Sequence, residues 1–161
     1  MDELDSALVA ALQDDGRRSN RDLAAALSVA PSTSLERTRA LRTRGVITGY
    51  HATIDLGALD RPVQAMIFIR LRPQSRKVMH GFRDFVAALP ETLNVYIITG
   101  FEDTLVHVAV PTPQALQDFV LDSLTKRPEV ADVRTAVVFE HVRNHVIAPA
   151  TNAGSHAPVR G

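Results

Sequence analysis

The sequence has no cysteine. Disulfides, thiolate nucleophiles and cysteine-ligated metals are thereby excluded. Lysine is almost missing too: of the 18 basic residues all but Lys77 and Lys126 are arginine, a bias we read as genomic composition without functional weight. No apolar run approaches the roughly 20 residues of a membrane span, and Met1-Asp2-Glu3 offers no basic leader. A cytoplasmic protein without a membrane partner is expected. There is no excess charge of either sign, the formal net charge being +0. There is no phosphate-cradling glycine loop. The serines at 32, 34, 75 and 123 have no base and orienting group in a convincing arrangement, so nucleophilic catalysis finds no support. Of the histidines at 51, 80, 107, 141, 145 and 156, only His141 and His145 are closely spaced. They fall at a strand end and beyond it rather than on one helix face, so no metal site is expected. No catalytic residue, metal or cofactor is predicted.

What is present is a chain of 161 residues with 45% hydrophobic and 22% charged content, enough for one or two small globular domains. Its charge is unevenly placed. Acidic residues collect at Asp2, Glu3, Asp5, Asp14 and Asp15, whereas residues 28–50 hold Arg37, Arg39, Arg42 and Arg44 against Glu36, a local charge of +3. Distribution of this kind matters more for nucleic-acid binding than the sum.

Leu4, Leu8, Ala11 and Leu12 share one helical face, and Asp15-Gly16 ends that helix. Ser19, with Asp22 three residues on, resembles a capping box ahead of a short helix carrying Leu23, Ala24 and Leu27. Residues 28–30 form a turn. Pro31 suits the first position of a third helix, where its missing N–H would be unpaired in any case. On that helix Leu35, Thr38 and Leu41 fall within one arc, with Ser34 beside them. Thr33, Glu36, Arg37, Ala40 and Arg44 lie opposite. Small polar residues at the leading end followed by arginines suit a helix that enters the DNA major groove. A solvated arginine face on any small helical bundle would have similar composition.

Residues 50–56 alternate weakly, as a linking strand would, and residues 57–62 mark a boundary. Residues 63–72 alternate clearly, with Ala65, Ile67, Ile69 and Leu71 on one face. A helix is expected over 77–89 and strands over 93–99 and 104–110. A second helix should open at Pro113, and a last strand should span 130–142. The order β-α-β-β-α-β is a ferredoxin-like split unit. Its two helices can cover only one sheet face, leaving Met66, Phe68, Tyr96 and Ile98 for a second subunit. Domains are thus expected at 1–50 (helix-turn-helix), 51–62 (linker strand and hinge), 63–146 (ferredoxin-like) and 147–161 (flexible tail).

Taken in order, several pieces are similar to one family. They are Leu4-Asp5, Gly16-Arg17, Asp22-Leu23-Ala24, Leu35-Glu36-Arg37, Leu41 leading to Gly45-Val46-Ile47, and Gly49-Tyr50. Thr99-Gly100-Phe101-Glu102-Asp103 matches a Gly-x-x-Asp loop, and Arg134-Thr135-Ala136-Val137-Val138 a final strand. Over residues 4–146 the chain resembles the Lrp/AsnC (feast/famine) transcriptional regulators. The resemblance implies an α+β protein with an N-terminal winged or tri-helical helix-turn-helix domain and a C-terminal ferredoxin-like βαββαβ (RAM-type) domain. Two departures stand out: Ser28 occupies a turn position that is usually glycine, and Ala30 an N-cap position that is usually serine.

The family's function would make the protein a homodimer, assembling further into tetramers or octamers, on a pseudo-palindromic double-stranded DNA operator. Ser32, Thr33, Ser34, Glu36 and Arg37 would lie near base edges, and Arg39, Arg42 and Arg44 nearer phosphates. An amino-acid effector would bind near Thr99, Gly100, Phe101, Glu102, Asp103 and Thr135, although a plain hairpin turn would also carry Gly100 and Asp103. Two other readings remain. One is a sirohaem decarboxylase-like enzyme subunit on the same fold; the other is an amino-acid sensor that no longer binds DNA.

Overall fold

In the computed structural model, which describes residues 1–150, the chain forms two compact units. One is Met1–Ala52 joined by the chain from Val142 onward; the other is Thr53–His141.

The first unit is three helices, α1 (Glu3–Asp14), α2 (Asn20–Ala26) and α3 (Pro31–Thr43). Asp2 caps α1 by accepting the Asp5 N–H at 2.8 Å. Ser19 caps α2 by accepting the Asp22 N–H at 3.2 Å, and its hydroxyl donates to the Asp22 carboxylate at 2.6 Å. Pro31 opens α3, and Ala30 supplies no side-chain cap. α2 and α3 end alike. In α2 the N–H groups of Val29 and Ser28 return to the carbonyls of Ala24 and Ala25; in α3 those of Val46 and Gly45 return to Leu41 and Arg42. Each closure needs one left-handed residue, Ser28 (φ 54°) and Gly45 (φ 72°). Leu8, Leu12, Leu23 and Leu41 are buried together. Leu35 departs from the expected inner arc: it is 38% exposed, while Ser34 is fully enclosed. No strand follows α3 over residues 44–62, so the unit is tri-helical without a wing and the linking strand expected at 50–56 does not form. The chain returns to this unit at Ile147, whose N–H and C=O both bond the Gln13 amide (3.0 and 3.1 Å). From residue 151 the expected flexible tail lies outside the described residues.

The second unit contains β1 (Val63–Leu71), α4 (Arg76–Ala87), β2 (Thr92–Ile97), β3 (Thr104–Val110), α5 (Pro113–Asp118, continuing in wider turns over Phe119–Leu124) and β4 (Val130–Val138). This is the expected βαββαβ order, with an antiparallel sheet β2-β3-β1-β4. β4 stops at Val138, four residues short of the expected end. Ala65, Ile67, Ile69 and Leu71 alternate into a core completed by Phe82 and Val86 of α4, Val106 and Val108 of β3, and Leu116 and Phe119. Alternation of period two makes this possible, since one strand presents every second side chain to the helices. Met66 and Phe68 stay on the opposite, half-buried face.

Candidate DNA interface and effector cleft

On α3 the outward stripe is Ser32, Leu35, Glu36, Arg39 and Arg42, with Thr33 half-buried beside it. Spacings of three and four residues put these on one helical face. Arg39 and Arg42 make no ion pair among the described residues.

Arg37 and Arg44 are placed differently. Seven residues apart, they rise two turns along the side of α3 that faces α1. There Asp5, only 3% exposed, takes both. Arg44 Nη1 lies 3.1 Å from Asp5 Oδ2, and Arg37 Nη1 3.2 Å from Asp5 Oδ1 and 2.5 Å from Asp2 Oδ2. The Asp5 N–H, and then the Arg37 guanidinium, hold the Asp2 carboxyl below the usual aspartate value. The same pairing raises Arg37 above the usual arginine value. These two arginines were expected at base edges and phosphates; in the free protein they fasten α3 to α1. Ser34 leaves the expected DNA set altogether. It is fully buried, and its Oγ, like Thr38 Oγ1, has no hydrogen-bond partner among the described residues.

In the second unit a cleft of about 440 Å³ lies between the start of α4 and the loop after β2. Gln74, Ser75, Arg76 and Met79 form one side; Ile98, Thr99, Gly100 and Asp103 form the other. Ser75 caps α4 by accepting the Val78 N–H at 3.2 Å. Gly100 has φ 138°, a conformation that a side chain would strain. Thr99, Gly100 and Asp103 therefore meet as expected. Asp103 is 4% exposed and already engaged: Oδ2 accepts the Leu71 N–H at 2.7 Å, Oδ1 accepts the Gln74 amide, and Arg72 lies 3.9 Å away. It ties the end of β1 to the cleft wall.

Glu102 pairs with Arg134, whose guanidinium sits 5.3 Å over the Phe68 ring. Phe101 is 65% exposed, with Arg70 over its ring at 4.7 Å. Thr135 does not join the cleft. It pairs in register with Ile67, so its side chain shares the helix-facing side of the sheet, opposite Arg134. Gln74, Arg76 and Met79 carried no signal in the sequence as cleft walls, because only the packing of α4 brings them there. Ser75 could have been marked as the cap before a helical pattern.

His107, 8% exposed on β3, lies between Gln64 (Nε2 to Oε1, 3.0 Å) and Asn94 (Nδ1 to Nδ2, 3.4 Å), with the His141 ring 6.1 Å away. Burial, and secondarily His141, lowers its pKa. Among the described residues no three His, Asp or Glu side chains gather to hold a metal. Nor is any described helix long and apolar enough to cross a membrane.

Comparison with known proteins bears on both units. Residues 1–42 match the AsnC-type helix-turn-helix domain, and residues 64–147 match the Lrp/AsnC ligand binding domain. The chain is 35% identical to the HTH-type transcriptional regulator AldR of Mycolicibacterium smegmatis, over 89% of this chain and 84% of that protein. It is 32% identical to the leucine-responsive regulatory protein of Escherichia coli K12, over 89% and 87%. A Neisseria meningitidis transcriptional regulator solved with L-Met superposes with a TM-score of 0.85 at 26% identity, covering 94% of this chain and 97% of that one. The motifs, the two folds and these matches agree: the chain belongs to the Lrp/AsnC family.

Proposed function

We propose that the protein is a sequence-specific DNA-binding transcriptional regulator that responds to an amino acid or a related small metabolite. The observation that carries this is the outward stripe of α3, which combines small polar residues with two arginines that make no ion pair among the described residues. In this reading Ser32, Thr33 and Glu36 lie near base edges, while Arg39 and Arg42 neutralise phosphates, adding affinity more than specificity. Arg37 and Arg44 serve first as fasteners of α3 and reach DNA only by leaving Asp5. The half-buried outer sheet face carrying Met66 and Phe68 supports a homodimer, with further assembly to tetramers or octamers. A two-fold dimer would place its reading helices on half-sites about 34 Å apart in a pseudo-palindromic operator.

The effector would occupy the cleft beside Gly100. Its carboxylate suits the backbone N–H at the Gly100 turn and the Thr99 hydroxyl, and an apolar side chain suits Met79 and Ile98. The Neisseria relative holds L-Met, which supports an amino acid. Asp103 could meet an ammonium group only by sharing its bond to Gln74, and Glu102 only by releasing Arg134. Neither Thr135 nor Phe101 lines this cleft. The protein would act in the cytoplasm and perform no catalysis. Genome-wide DNA binding with and without a panel of amino acids tests the whole reading. Discrete sites whose occupancy changes with one amino acid are expected; binding without sequence preference would overturn it.

A further inference from the structure

At positions 34 and 35 the pattern of α3 is inverted. Ser34 points inward, fully buried with an unpaired hydroxyl, and Leu35 points outward, 38% exposed. Folding alone would favour the exchange, since a buried hydroxyl without a partner costs free energy and a leucine with over a third of its surface in water gains less than an enclosed one. Departures of this kind concentrate where function has a use for them. Leu35 lies at the middle of the outward stripe, one turn from Ser32 and Arg39 and next to Glu36. Asp5 draws Arg37 and Arg44 to the far side. The part of α3 left to meet bases is narrow, and it is centred on an aliphatic side chain.

We propose that Leu35 is a specificity-determining residue that packs against a thymine methyl group in the major groove. Thymine is the one unmodified base that presents a methyl there, so a leucine on a reading helix has a single well-matched target. The inference rests on α3 being the helix that enters DNA.

The test uses the full chain. A binding site is first selected from random duplexes with the wild type, and each thymine in it is then replaced by uracil, which lacks only the methyl. At one thymine in each half-site the replacement should weaken wild-type binding about fourfold, the worth of one methyl withdrawn from water. In Leu35→Ser that replacement should have no effect, while other thymines behave as in the wild type. Leu35→Met, which keeps an apolar tip, should retain sensitivity at the same base. Uracil profiles identical in wild type and Leu35→Ser would overturn the role of Leu35 and leave the DNA-reading helix standing. A wild type that selects no sequence would overturn both.

Discussion

Each unit buries an aspartate, and the two are held by different kinds of partner. Asp103 accepts a backbone N–H from Leu71 and an amide from Gln74. Asp5 accepts from Arg37 and Arg44, whose side chains are 42% and 51% exposed. Without Asp103, the Leu71 N–H at the end of a sealed strand has nowhere to turn. Without Asp5, Arg44 can swing into water and Arg37 keeps Asp2 as its partner. The Asp103 contact is therefore a fixed part of the sheet unit. The Asp5 contact is conditional, and its arginines can exchange it for another anion. That difference suits a unit that must release charge to a phosphate backbone, beside one that must keep a cleft wall in place.

The largest effect is expected from Asp103→Ala. Two hydrogen bonds to a charged acceptor are lost and a buried donor is stranded, for about 3 kcal/mol of destabilisation. Chemical denaturation of the wild type and variant measures it, and a loss below that of Asp5→Ala would reverse the comparison. Asp5→Ala should cost roughly 1.5 kcal/mol, because its partners can be resolvated. It should also strengthen DNA binding at low salt and steepen the salt dependence, since Arg44 becomes available to phosphates while Arg37 stays with Asp2. An unchanged salt slope in Asp5→Ala would mean that Arg44 stays away from DNA even when released.

Ser28→Gly and Ala30→Ser sharpen the picture within the first unit. Gly45 closes α3 in a left-handed conformation without strain, whereas Ser28 closes α2 in the same geometry with a side chain. Ser28→Gly should therefore stabilise by about 1 kcal/mol, and Ala30→Ser by about the same through a new N-cap. Thermal melting of the two single variants and the double checks both.

The smallest effect is a pH dependence at His107. Its pKa is lowered in the folded state, so its stabilising contribution is complete above the ordinary histidine range and is lost as pH falls through and below that range. Melting temperature should thus decline on acidification, and less so in His107→Gln. An equal decline in the two proteins would place the acid sensitivity elsewhere.

Much of this was legible beforehand because it depends on neighbours in the chain. Pro31 at a helix start, Ser19 as a cap, and Ala65, Ile67, Ile69 and Leu71 in period two are local facts. Ser28 as a turn residue under strain was visible for the same reason. The errors have a common origin in contacts between separate elements. A short, arginine-rich helix has too few apolar residues to mark one face, so Leu35 reads as sharing an arc with the buried Leu41 although it stands outward. The family resemblance groups Thr135 with the loop at 99–103, whereas its register with Ile67, which is not written in β4 alone, sets it apart from the cleft within this chain.

The sequence by itself determined the element order, the two-unit plan and the arginine-rich third helix, since periodicity, caps and turn residues act over a few positions. Only the tertiary structure decided which charges on that helix are free. Arg37 and Arg44 share a helical face distinct from that of Arg39 and Arg42, but nothing local says which face meets an anion. They differ because α1 brings the buried carboxylate of Asp5 against one side of α3, more than thirty positions away along the chain.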